Sequence, residues 1–139
     1  MDELIRILHE ERHSLVVREG GGGVVTCDGR GVSDLYRLLQ TDPERLAGAQ
    51  VADKAVGKAA ACLLIIGGAK QVYADVVSTP ALALLSRNGI MARYGLEVHH
   101  IMNRAGTDWC PMERACYELE STEEIYSVVK KKMSNFIWK

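Results

Sequence analysis

The amino-acid sequence predicts an α/β fold whose central strands run parallel. Three observations support this. Residues Val51 to Gly89 read as helix, strand, helix, and Ile90 to Tyr94 returns as a strand. A strand–helix–strand unit of this size favours parallel pairing through a right-handed crossover. Upstream, Ser14 to Glu19 and Val24 to Asp28 are short β-rich runs on either side of the glycines at 20–23, a hairpin signal. The stretch Cys62 to Ile66 leaves no polar face on its helix, so that helix is buried, and it is too short to cross a membrane.

Asp2 can cap a first helix that runs to about Arg12, with Leu4, Ile5 and Leu8 as its apolar stripe. Neither a lysine nor a helix start directly follows the four glycines, so they read as a hairpin tip rather than a phosphate site. Gly29-Arg30-Gly31 then leads into a helix beginning around Val32 to Asp34 and carrying Leu35, Leu38 and Leu39. A Gly-x-Gly turn into a helix start can hold an anion, and Arg30 adds charge. The third glycine of a dinucleotide fingerprint is absent, and a turn capped by Ser33 or Asp34 explains the same residues. Asp42-Pro43 begins a short turn.

The central helix is predicted to begin near Asp53 or Lys54 and to end at Gly67-Gly68. Ala55, Ala59, Ala60 and Ala61 favour helix, and the glycine pair stops it. Ala52 to Ala59 imitates a phosphate loop but lacks its first glycine and the magnesium-binding hydroxyl, which excludes a nucleoside triphosphatase of that kind. Asp53 and Lys54 have two readings: walls of a cleft, or a capping acid beside a solvated lysine. Gln71 to Val77 is a strand. Thr79 then caps a helix whose first residue is Pro80, and Asn88-Gly89 ends it.

Gly95 to Arg104 reads as another strand. On it His99 and His100 face opposite sides and cannot share a metal, so both are surface or packing residues. Asn103 to Cys116 holds the densest set of reactive side chains. Pro111 fits the first helical position, which places Cys110 at the N-cap and Glu113 two residues after Pro111. A thiol at that place meets the positive end of the helix, which favours thiolate, while Glu113 partly opposes the effect. Cys110 and Cys116 are spaced poorly for zinc or a disulfide. A plain helix whose Trp109 and Met112 pack on the core competes with the site reading. Ser121 and Glu124 form a capping box, and Ile125, Val128, Val129 and Met133 stripe the last helix. Lys130 to Lys132 lie mainly outside that stripe. Phe136, Ile137 and Trp138 would dock the tail or contact a second subunit in a homodimer.

The 139 residues suffice for one domain spanning residues 1–139 with its own core. A net charge of −1 gives no electrostatic case for nucleic acid or an acidic membrane. Four cysteines, one of them on the buried helix, point to reduced thiols and a cytoplasmic setting.

The motifs GRGVSDLY, VADKAVGKAAA and GTDWCPME together resemble a small prokaryotic family of unknown function with a cytidine-deaminase-like fold. The resemblance implies a three-layer α/β/α sandwich with a mixed central sheet. Zinc deaminases of this fold need His or Cys with Glu at one helix start and P-C-x-x-C at the next. Here Asp53, Lys54 and Ala55 occupy the first place; at the second, Pro80 survives but Ala81 and Leu84 replace the thiolates. The resemblance therefore implies no catalytic zinc and no standard hydrolytic deamination. It places a pocket where two helix N-termini meet the sheet, walled by Asp53 and Lys54 and covered by the loop from Asn103 to Glu113. The expected ligand is a nucleotide or an ADP-ribose-like molecule. Arg30, Lys54 and Arg104 would take phosphates, Trp109 would stack on a base, and Asn103 and Thr107 would stand beside it. Cys110, Asp53 and Glu113 are the candidate nucleophile or acid/base, with the reaction, if any, left open. A non-catalytic regulatory or interaction module is the alternative, and a thiol-redox role for Cys110 is a third.

Overall fold

A computed structural model describes residues 1–137, with side chains for residues 1–134. The order of elements is α1 (Asp2–Glu10), β1 (Leu15–Arg18), β2 (Val24–Cys27), α2 (Ser33–Thr41), a single 3-10 turn (Pro43–Arg45), β3 (Gln50–Val56), α3 (Lys58–Gly67), β4 (Gln71–Ser78), α4 (Thr79–Arg87), β5 (Met91–Val98), α5 (Pro111–Cys116) and α6 (Thr122–Ile137). The strands form one mixed sheet in the order β2-β1-β3-β4-β5. β1 is antiparallel to both β2 and β3, whereas β3, β4 and β5 run parallel.

Helices cover both faces. On one face α1 buries Leu4 and Leu8 against Val16 and Ala52. The larger core lies on the other face, where α2, α3, α4 and α6 contribute Leu35, Leu63, Leu84 and Ile125 among others. α3 sits at its centre: every residue from Lys58 to Leu64 is buried. Each fully buried leucine contributes about 1.5–3 kcal/mol, so this helix anchors the domain. It ends where the sequence predicts, with Gly68 in the left-handed conformation at φ 83°. Gly67 is needed for packing, because a Cβ there would lie 2.8 Å from Leu46.

Four local expectations change. Asp53 and Lys54 belong to β3, and α3 begins only at Lys58. Pairing with β1 and β4 on both sides draws the Ala-rich VADKAV segment into the sheet against its helix propensity. The cap of α4 is Ser78, whose hydroxyl accepts from Ala81 N at 3.3 Å, so Thr79 rather than Pro80 is the first helical residue. α1 stops at Glu10, and Met1 rather than Asp2 precedes it as the cap. β5 continues through Gly95 to Val98, after which the chain bends, so His99 and His100 do not lie on a strand. The capping box at Ser121 and Glu124 is present, with Glu124 N donating to Ser121 Oγ at 3.1 Å. Ile125, Val129 and Met133 are buried as the stripe requires. The side chains of the Phe136–Trp138 tail lie outside the described residues.

Candidate functional site

Two turns into helices meet over the end of the sheet and leave a cleft between them. The first is Gly29-Arg30-Gly31 before α2. Gly29 N donates to Asp34 Oδ2 at 2.6 Å, and Ser33 Oγ donates to Arg30 O at 2.7 Å. Asp34 thus folds the turn back on itself instead of capping α2, and it also pairs with Arg37 at 2.9 Å. A Cβ at Gly29 would sit 2.6 Å from Asp34 Oδ2, so any larger residue there would displace that carboxylate. The second is the entry to α5, where Cys110 is the N-cap and Pro111 the first residue. Cys110 N donates to Ile101 O at 2.9 Å, which fixes the thiol's place.

Between these turns and α6 lies a cavity of about 510 Å³. Arg30 to Ser33 form one wall, Cys110 to Met112 the second, and Lys132 and Met133 the third. A smaller cavity of about 80 Å³ shares Gly31, Val32, Cys110 and Met112 with it. This one reaches Ala55, Gly57 and the start of α3, with Glu113 at its edge. Cys110 is half-buried and lines both spaces. The other three cysteines are buried and free; burial pushes Cys62 up to about 12, Cys116 up to about 11, and Cys27 upward as well.

Glu113 is 2% exposed, and both of its oxygens are engaged. Oε1 accepts from Lys58 N at 3.0 Å and Oε2 accepts from Ile101 N at 2.9 Å. Lys58 is the first residue of α3, and Gly57 ahead of it has no side chain with which to cap the helix. Glu113 therefore caps α3 from across the fold. Gly57 permits this approach, because a Cβ there would meet Glu113 Oε1 at 2.8 Å. Lys58 completes the joint: its buried ammonium donates to Tyr117 O at 2.8 Å and to Leu119 O. Sequence reasoning missed Lys58, and its only signal was the Gly57-Lys58 pair within a failed phosphate-loop match.

The other predicted residues scatter. Asp53 is 7% exposed in the middle of β3, beside Leu15 and Ala74, and lines neither cavity. Burial pushes its carboxyl up to about 7; the backbone of Ala55 and Lys54 pulls the other way, and Asp34 and Asp75 push it further up. Lys54 is exposed on the strand. Asn103 and Thr107 close their own hairpin, with Thr107 N donating to Asn103 Oδ1 at 3.0 Å, and Arg104 is exposed near its tip. Trp109 is already stacked. The bend after β5 lays the His100 ring on it at 3.8 Å, and the Arg114 guanidinium lies 5.2 Å from its centre. Of the expected site residues, Arg30, Cys110 and Glu113 border the two cavities. No group of three or more His, Cys, Asp or Glu able to hold a metal occurs among the described residues.

The fold and cleft define a small mixed α/β protein with one sheet, helices on both faces and a cavity at the meeting of two helix starts. The chain belongs to the DUF1893 family (TM1506), a domain of unknown function, which it matches over residues 3–133. It is similar to the crystal structure of a DUF1893 family protein (TM1506) from Thermotoga maritima, at 28% identity and a TM-score of 0.84, covering 95% of this chain and 91% of that one. Among curated proteins none matches. No helix among the described residues is long and apolar enough to cross a membrane.

Proposed function

We propose that this chain binds a nucleotide or an ADP-ribose-like molecule in the larger cavity, within a cytidine-deaminase-like fold that does not use the deaminase zinc. The lining of that cavity carries the reading. Its volume of about 510 Å³ suits such a ligand. Val32, Pro111, Met112 and Met133 offer apolar and thioether surface to a flat base. Arg30 and Lys132 supply two cations for phosphate, and no acidic side chain lines the space among the described residues. The ligand therefore sits between α2, α5 and α6. At the front of α3, where the deaminase pocket is expected, lies the smaller cavity beside Glu113.

Cys110 is the group best placed to react, since it borders both cavities while Glu113 is held by two backbone donors. Thermal shift and calorimetry with adenosine, AMP and ADP-ribose test the binding. The phosphate-bearing compounds should bind more tightly than adenosine, and Arg30→Ala or Lys132→Ala should remove that advantage. Binding by none of the three, or binding indifferent to both substitutions, overturns the reading. The interaction module would then be favoured, and the exposed Met91, Tyr94 and Leu96 of β5 suit it.

A further inference from the structure

We infer that two copies of this chain join through the outer edge of β5, the strands running antiparallel about a two-fold axis at Gly95. This surface is separate from the cavity, and the inference does not depend on any ligand.

β5 is the last strand of the sheet, eight residues long, and its outer edge has no partner strand among the described residues. Exposed edges of that length pair readily with other strands unless charged side chains (lysine above all), proline or short length guard them, and the two charges on this edge, Arg93 and Glu97, are of opposite sign. β5 contains neither lysine nor proline. It instead exposes large apolar side chains: Met91 is 64% exposed, Leu96 57% and Tyr94 43%.

The sequence Arg93-Tyr94-Gly95-Leu96-Glu97 is complementary to itself when reversed. Antiparallel pairing centred on Gly95 sets Tyr94 opposite Leu96 and Arg93 opposite Glu97, and symmetry makes each pair occur twice. An aromatic–aliphatic pair and an opposite-charge pair are the cross-strand partners that stabilise a sheet. A slip of one residue sets Arg93 opposite Leu96 and loses both kinds of pair. Glycine at the axis leaves no side chain where the two strands meet. The fold requires glycine there in any case, because a Cβ would lie 2.9 Å from Asp75 O. Within one chain Arg93 meets Asp2 at 3.2 Å and Glu97 accepts from Thr79 at 2.8 Å, both at exposed positions that can exchange partners. The opposite edge offers nothing comparable: β2 has four residues, and Val24 is its one exposed large apolar side chain.

Sedimentation velocity of the intact chain across a concentration series tests this. A dimer that dissociates on dilution is expected. Leu96→Lys should weaken it at least about tenfold. Arg93→Glu sets like charges opposite each other twice and should weaken it too, while Arg93→Glu with Glu97→Arg should restore it. All these positions are exposed, and circular dichroism with thermal unfolding checks that the fold is kept. A monomer at every concentration overturns the inference. So does a dimer that neither Leu96→Lys nor Arg93→Glu alters, or failure of the double exchange to restore association. Nucleotide binding measured on the Leu96→Lys variant separates this outcome from that of the cavity reading.

Discussion

Glu113 and Asp53 are both buried acids, one at the front of α3 and the other in the middle of β3, and their surroundings differ. Glu113 spans two elements and receives one backbone N–H on each oxygen. Asp53 is enclosed by β1, β3 and β4, and its carboxyl is pushed up to about 7 because burial outweighs the backbone groups that favour its charge. Burial alone therefore does not tell what an acid does. Donors aimed at both oxygens make Glu113 a structural clasp, while Asp53 is a proton-binding group near neutrality.

The largest effect that follows is on Glu113. Glu113→Ala leaves the buried Lys58 N and the half-buried Ile101 N without their acceptor and should cost about 2–4 kcal/mol, read as a lower urea midpoint. Glu113→Gln keeps one acceptor and should cost less. An alanine variant as stable as the parent would erase the contrast between the two acids.

Asp53 should reveal itself through pH. Below about pH 4 the folded and unfolded chains both carry the proton, and burial of this group costs no charge. Above about pH 7 both have released it, and the full penalty is present. In between, the folded chain holds more protons than the unfolded one, so stability falls as pH rises, by on the order of a few kcal/mol from this group. Asp53→Asn should flatten that part of the profile in denaturant titrations at pH 5 and pH 8.

A smaller change sharpens the same contrast. Gly57→Ala forces a Cβ to 2.8 Å from Glu113 Oε1 and should cost about 1–3 kcal/mol, with Tm lowered to match. The smallest effect on stability concerns Cys110. Under native conditions a thiol reagent should label one cysteine per chain, Cys110, because Cys27, Cys62 and Cys116 are buried. Four should react after denaturation, and Cys110→Ser should leave none reactive in the folded protein. Mass spectrometry after alkylation counts them.

The sequence was most legible where structure rests on neighbouring residues. The hairpin across the glycines, the stop at Gly68, the Cys110-Pro111 helix entry and the Ser121–Glu124 box all follow from chemistry within a few positions. It misled where distant partners decide. VADKAV carries helix-forming alanines, and only β1 and β4 on either side make it a strand. Trp109 looked free to stack on a base, but the bend after β5 brings His100 onto it. Glu113 looked like an acid/base because its partner at Lys58 is 55 residues away. Arg30 and Cys110 were legible as candidates, whereas their meeting with Lys132 across one cavity depends on how α6 packs.

The joint at Lys58 also bears on how the chain assembles during synthesis. The central helix emerges from the ribosome about fifty residues before the carboxylate that closes its front end and the carbonyls that receive its ammonium. Until Glu113, Tyr117 and Leu119 arrive, the most apolar helix of the domain has an open front and an unpartnered cation. The core is therefore completed only once the segment from Glu113 to Leu119 has been made, and nascent chains released before that point would be the ones most exposed to aggregation and degradation.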